Sequence, residues 1–440
     1  MALSSLLSFK MKIWGIVWTL ILLLPVLSLS AGSSRPQVQV IQVDSTINPA
    51  IEEFILQSIN KAAQAEVEAL IIELDTPGGL DTSMRNIVKG IFNSSVPIIV
   101  YVYPSGARAA SAGVMITLAA HVAAMVPGTN IGAAHPVNLG GGGMDEEMKK
   151  KVENDAVAYV QGIARKRGRN EEWAAQAVRE SVSVTAEKAL ELNIIDIVAS
   201  NLQELLAAAH GRKVTLDSGP KELNTQDAEI IRTEMGWRHK ILNTLSNPNI
   251  AYLLMILGFY GLIFELSSPG AILPGILGGI CLILGLYSLQ TLPINYAGLL
   301  LFLFGIMLLI LEVKVTSYGA LTIGGVVSML LGSVMLFESP APYLRASWSV
   351  IIPAVATTAG LILFALGFAL KARLSKPVTG KEGLIGEIGT VYSKLDKGQE
   401  GKVFVHGEYW NAESEEVLEV GEKVEVTQVK GLKLRVRKAT

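Results

Sequence analysis

The stretch Ala69-Leu70-Ile71-Ile72-Glu73-Leu74-Asp75-Thr76-Pro77-Gly78-Gly79 decides the fold. Its apolar run over 69–74 reads as a strand, and the paired glycines that close it let backbone amides face a ligand without side-chain obstruction. Outward from it, strand patterns recur at 38–43, 97–103, 121–125 and 194–198, separated by helical patterns at 48–65, 82–93, 111–118 and 145–167. Continuous apolar strands alternating with helices predict a parallel sheet covered on both faces. Such a sheet places reactive groups in the loops that follow its strands. Two loops qualify: Asp75-Thr76-Pro77-Gly78-Gly79, and the one leading to Ala109-Ala110-Ser111-Ala112-Gly113.

Half of the 440 residues are hydrophobic, which is too apolar for an ordinary soluble protein and points to a membrane. The 37 basic and 39 acidic residues nearly balance, so charge offers no reason to expect nucleic acid as partner. One cysteine, Cys281, excludes an intramolecular disulfide. Lys10 and Lys12, an apolar run over 13–29 and the small residues Ser28, Ser30 and Ala31 have the order of a secretory signal peptide, so the chain beyond Gly32 is expected to be exported.

Five apolar segments at 251–265, 271–289, 296–311, 318–337 and 350–370 predict four to five membrane spans. Glu265 and Glu312 fall at span ends, where an interfacial place suits a carboxylate. Lys371, Arg373 and Lys376 come directly after the last segment and favour a cytoplasmic C-terminus. Beyond them, short alternating strands at 401–406, 424–429 and 432–437 predict a small β-barrel.

Ser111 sits among small residues at an expected helix start, where its hydroxyl could meet a substrate carbonyl while the amides of Ala112 and Gly79 face a developing oxyanion. A serine needs a base, and a lysine held neutral by burial can serve. The residues alone leave two readings open. Small residues around a serine also serve helix packing, and Lys149-Lys150-Lys151 also reads as solvated charge. Gly140 to Gly143 lacks the Gly-Lys-Ser/Thr of a phosphate loop, and the five dispersed histidines have no paired spacing, so no metal and no cofactor are expected.

Asp75-Thr76-Pro77-Gly78-Gly79, Ala110-Ser111-Ala112-Gly113 and Pro127-Gly128-Thr129-Asn130-Ile131-Gly132-Ala133-Ala134-His135-Pro136 together resemble the long form of the NfeD family. These are membrane-bound serine proteases of the Clp protease class, associated with stomatin-like proteins. The resemblance covers nearly the whole chain and implies a signal peptide at 1–31, a Clp/crotonase-like α/β serine protease domain at 32–210 and a connector at 211–249. It further implies multi-pass transmembrane α-helices at 250–372 and an OB-like β-barrel at 378–440.

Carried over by position, the resemblance implies Ser111 as nucleophile, Lys151 as general base, and Gly79 and Ala112 as oxyanion-hole amides. His135 is the alternative base, 24 residues after Ser111 and near where soluble Clp proteases carry their histidine. The implied activity is cleavage of apolar segments of stomatin-like or other membrane proteins, with a groove lined by Val114, Ile116 and Leu118 as acceptor. The implied protein is a homo-oligomer, at least a dimer, in the cell membrane, with the protease domain extracytoplasmic and the barrel cytoplasmic. The competing reading is a non-catalytic scaffold that partners stomatin/prohibitin-like proteins.

Overall fold

A computed structural model describes residues 35–137, 145–268, 270–315, 317–374 and 383–439. The signal peptide expected at 1–31 and the glycine run 140–143 lie outside the described residues. Contacts divide the chain into two units, Met1–Gly305 with Val327–Ala354, and Ile306–Val326 with Val355–Thr440.

The α/β domain of the first unit begins with β1 (Gln37–Asp44), α1 (Pro49–Gln64), β2 (Ala69–Asp75), α2 (Asp81–Phe92) and β3 (Ile98–Val102). There follow β4 (Arg108–Ala110), α3 (Ala112–Ala119), β5 (Val122–Met125), β6 (Asn130–Gly132), α4 (Glu146–Lys166), α5 (Glu171–Arg179) and β7 (Ser183–Thr185). It ends with α6 (Ala186–Glu191), β8 (Ile197–Val198), α7 (Leu202–Ala209), the hairpin β9 (Lys213–Leu216) and β10 (Gly219–Glu222), and β11 (Glu229–Arg232). The main sheet runs β11-β1-β2-β3-β5-β8 with every neighbouring pair parallel. A small side sheet runs β4-β6-β7. This agrees with the α/β domain with a parallel sheet expected from the sequence.

One apolar cluster joins Ile72, Leu74, Val100 and Met125 to α1, α2 and α3, and a second joins Ile71, Ile99 and Ala124 to α7. Burial on both faces explains why strands β3 and β5 read as unbroken apolar runs and β2 as one interrupted only by Glu73 before its final Asp75. The helices start on side-chain caps. The Asn48 carboxamide accepts from the Ile51 amide at 3.0 Å, and the Asp145 carboxylate from Met148 at 2.6 Å, each satisfying one orphan amide of a first turn.

The segment expected as a connector is partly built into this domain. Its β11 becomes the edge strand beside β1, and Arg232 donates to both carboxylate oxygens of Glu73 at 2.9 and 3.1 Å. Glu73 is 2% exposed in an otherwise apolar strand, so it needs that partner. Four residues carry too little periodicity to announce such a strand.

α8 (Trp237–Leu245) precedes the apolar helices α9 (Pro248–Ser267), α10 (Leu273–Thr291), α11 (Tyr296–Lys314), α12 (Ala320–Leu336) and α13 (Trp348–Leu374). Among the described residues, three helical stretches, Pro248–Leu266, Leu273–Thr291 and Pro342–Phe368, are long and apolar enough to cross a membrane. Tyr296–Glu312 and Ala320–Leu336 are apolar but shorter. Within the first unit, α9 and α10 close on glycine: a Cβ at Gly261 would meet the Pro274 carbonyl oxygen at 2.4 Å. In the second unit, the Glu312 carboxylate accepts from the Ser317 hydroxyl and from the amides of Gly319 and Thr322 at 3.1 and 3.0 Å, so it caps the start of the next helix.

The barrel of the second unit contains β12 (Ile388–Val391), β13 (Glu400–Val405), β14 (Glu408–Ser414), β15 (Lys423–Lys430) and β16 (Lys433–Lys438), closed in the order β12-β13-β14-β16-β15. Val403, Val405, Ala412, Val424, Val426, Leu434 and Val436 alternate inward to fill it.

Candidate active site

The two loops singled out in the sequence meet beside the sheet. The amide of Ile47 donates to Gly78 and the amide of Leu80 donates to Ile47, both at 2.8 Å, which pairs Ile47 with Gly79 in parallel. In that pairing the amide of Gly79 itself points to the opposite side. The glycine is required, because a Cβ there would lie 2.1 Å from the Ile47 carbonyl oxygen. On the other flank, the Thr76 amide donates to Arg108 at 2.8 Å and the Ala110 amide donates to Thr76 at 3.1 Å, drawing β4 and Ser111 up to the same loop.

Ser111 occupies the cap position of α3 with φ +53° and ψ −112°, a strained backbone for a residue with a side chain. Its amide donates to Gly132 at 3.2 Å and its carbonyl accepts from Val114 at 3.0 Å, so its backbone is fixed from both sides. The hydroxyl makes no capping hydrogen bond. It stands, with no hydrogen-bond partner among the described residues, at the positive end of a helix whose eight residues are all buried. Gly113 lets that helix approach, since a Cβ there would stand 2.7 Å from the Thr76 methyl group.

The far end of α3 is held by arginines. The Arg167 guanidinium donates to Ala119 at 2.8 Å, and Arg169 donates to Leu118 and Ala120 at 2.5 and 2.9 Å. His121, next in the chain, accepts from the Ile98 amide at 3.1 Å and meets Arg167 at 3.2 Å. Burial, then the charges of Arg167, Arg169 and Lys166, push its imidazole down to about 3. It is thus a neutral acceptor.

A cavity of about 450 Å³ opens beside Ser111, walled by Gly79, Ala112, Met115, Val152, Lys151 and Tyr343. Lys151 reaches it from α4, yet its side chain is 66% exposed and its Nζ is paired with Glu147 at 3.2 Å. No hydrogen bond joins Lys151 to Ser111 among the described residues. One turn on, Asp155 accepts from Arg85 at 2.5 Å, and Arg85 also donates to Asp81 at 2.8 Å and lies over the Tyr159 ring at 4.2 Å. Burial opposes that cation, but the two carboxylates leave Arg85 raised above its ordinary value. The clamp ties α2 to the face of α4 that carries Lys151.

His135 is placed otherwise. Its Nδ1 lies 2.9 Å from the Val178 carbonyl oxygen, and it is not among the residues walling the cavity. The groove expected along Val114, Ile116 and Leu118 is also absent. All three are fully buried in the core, because α3 is covered on every side, and the apolar wall comes instead from Met84, Met115, Val137 and Val152.

The described segments match three family models in order: "NfeD1b, N-terminal domain" over residues 37–233, "NfeD integral membrane domain" over 249–370, and "NfeD-like C-terminal, partner-binding domain" over 381–438. Across 410 residues the chain is 36% identical to the membrane-bound protease PH1510 of Pyrococcus horikoshii, covering 91% of this chain and 92% of that one. The chain belongs to the NfeD family. This NfeD chain is also 27% identical over 442 residues to the membrane protein NfeD1b of Bacillus subtilis, covering 93% and 94% of the two chains. Among solved structures it is similar to 1510-N, a membrane protease specific for a stomatin homolog from Pyrococcus horikoshii, at 34% identity. That likeness spans 49% of this chain and all of that one, with a TM-score of 0.43.

The NfeD chain is thus a membrane protein similar to a protease. Among the cavity residues that sequence reasoning passed over are Arg85 and Tyr343. Arg85 lies on an ordinary helical face, and Tyr343 is more than 200 residues from the Ser111 loop. Only folding brings them together.

Proposed function

We propose that this NfeD chain is a membrane-bound serine endopeptidase in which Ser111 is the nucleophile and Lys151 the general base. The observation that carries the reading is the hydroxyl of Ser111, unpartnered among the described residues at the start of a buried helix, sharing a cavity with Lys151 while His135 is turned onto Val178. The 36% identity to a membrane-bound protease over nine-tenths of the chain supports it.

The Ser111 oxygen attacks a peptide carbonyl carbon as its proton passes to the Lys151 amine. The oxyanion accepts hydrogen bonds from the amides of Gly79 and Ala112. Collapse breaks the C–N bond, the leaving amine takes the proton from Lys151, and water repeats the cycle on the acyl-serine. A bound apolar peptide would cover Lys151 and displace the solvent around it, supplying the desolvation that a neutral lysine requires.

The relative's specificity for a stomatin homolog supports a stomatin-like membrane protein as substrate or partner. The barrel is the proposed docking module, the assembly a homo-oligomer, the α/β domain extracytoplasmic and the barrel cytoplasmic. The scaffold reading draws on the exposed aromatic group of Tyr392, Phe404 and Tyr409 on the barrel, whose rings lie 4.8 and 4.9 Å from Tyr409.

The test is cleavage of apolar peptides by the full chain in detergent. Activity lost in both Ser111→Ala and Lys151→Ala but kept in His135→Ala is the expected result. Activity lost in His135→Ala and kept in Lys151→Ala would exchange the base, and no wild-type cleavage across a broad library would favour the scaffold.

A further inference from the structure

The loop between α12 and α13 carries Tyr343 into the cavity that holds Ser111. A Cβ added to Gly78 would stand 2.8 Å from the Tyr343 hydroxyl, 2.7 Å from the Ser111 Cβ and 3.1 Å from the Ser111 hydroxyl. The phenol and the nucleophile therefore converge on one backbone position, from opposite ends of the sequence of the same unit.

The loop is built rather than slack. The Ala341 amide donates to the Ser339 hydroxyl at 3.2 Å, the Arg345 guanidinium donates to the Ser339 carbonyl, and the Leu344 amide closes a tight turn on Ala341 at 3.0 Å. The amide and hydroxyl of Ser347 donate to the Asn249 side chain at 2.7 and 3.1 Å, fastening the loop to the first turn of α9. Within it, Ser339, Ala341 and Leu344 are buried. Tyr343 itself is half-buried, and its hydroxyl has no hydrogen-bond partner among the described residues. A half-buried phenol of this kind presents an apolar ring and a hydroxyl able to donate to a bound chain.

We propose that Tyr343 is a specificity-determining wall of the peptide cleft: its ring packs an apolar substrate side chain beside Ser111, and its hydroxyl donates to a substrate backbone carbonyl. This rests on the peptidase reading of the same cavity and extends it. The α/β domain alone lacks this wall, so cleft completion depends on the apolar-helix region that carries the loop.

The experiment measures binding of short fluorescein-labelled peptides of Leu, Val, Phe and Ala to the full chain in detergent, all variants carrying Ser111→Ala to prevent turnover. Adding Tyr343→Ala should weaken binding about tenfold, through lost ring contact and a lost hydrogen bond. Adding Tyr343→Phe, which keeps the ring, should weaken it only about threefold. In the cleaving chain, Tyr343→Ala should raise KM more than it lowers kcat.

Equal or tighter binding by the Tyr343→Ala protein would overturn the proposal, tighter binding marking the tyrosine as a plug. Equal weakening by both variants with lowered melting temperatures would overturn it too, since that is a structural effect. Binding by none of the proteins would likewise overturn it. The expected binding series without any wild-type cleavage would sink the peptidase reading while leaving Tyr343 as a peptide-contacting wall.

Discussion

Arg169 donates to the Asp196 carboxylate at 2.6 Å while the same guanidinium holds the carbonyls of Leu118 and Ala120, and its side chain is only 3% exposed. The pair thus clamps the C-terminal end of the helix whose N-terminus presents Ser111. Replacing Arg169 by Met would leave Asp196 without its charge partner and two buried carbonyls without a donor. We expect a loss of about 3 kcal/mol, toward the low end for a buried pair because Asp196 keeps some solvent contact. Thermal unfolding of the α/β domain measures it, and an unchanged melting temperature would contradict the clamp.

Gly79→Ala tests the backbone pairing with Ile47. A Cβ 2.1 Å from a carbonyl oxygen forces the strand apart, and the expected stability cost is about 1–3 kcal/mol. If the Gly79 amide serves the oxyanion, peptide cleavage should fall by a further ~100-fold or more in kcat at temperatures where the variant remains folded. A folded variant with wild-type kcat would remove Gly79 from the mechanism.

His121 gives a pH dependence of known sign. Its folded value is lowered to about 3 from an ordinary 6.5, so below pH 6.5 the unfolded chain gains a proton that the folded chain refuses. The contribution is intact above 6.5 and is lost progressively as pH falls from there toward 3. His121→Asn retains an acceptor for the Ile98 amide but does not titrate. Its stability should fall less steeply over that window in denaturant titrations, and parallel curves would refute the assignment.

Gly261 tests helix packing in the first unit. Gly261→Val would press a side chain into the Pro274 carbonyl and into Gly278, whose Cα is 2.6 Å from a Cβ at that place. Separation of α9 from α10 should cost about 1–3 kcal/mol, read as a lower melting temperature of the detergent-solubilised chain. The same substitution at Gly279, where a Cβ meets nothing within 4 Å, is the matched control.

Much of the architecture was legible because burial writes a period into sequence. Strands β2, β3 and β5 are covered on both faces, hence runs that are apolar nearly throughout, and the barrel strands are covered on one, hence alternating. Helix starts at Asn48 and Asp145 were readable to within a residue, since capping is local chemistry. β11 was not: its place beside β1 depends on Arg232 finding Glu73, a pairing 159 residues apart.

Residue order alone dictated the alternation of strands and helices, the apolar helices, the small barrel and the two loops around Gly79 and Ser111. These arise from periodicity and from residue types that act over a few positions. Three-dimensional packing settled that Val114, Ile116 and Leu118 are core, that His135 faces Val178, that Lys151 is exposed, and that Arg85 and Tyr343 wall the cavity. Each of those outcomes depends on which distant backbone a side chain meets, and no local pattern encodes that.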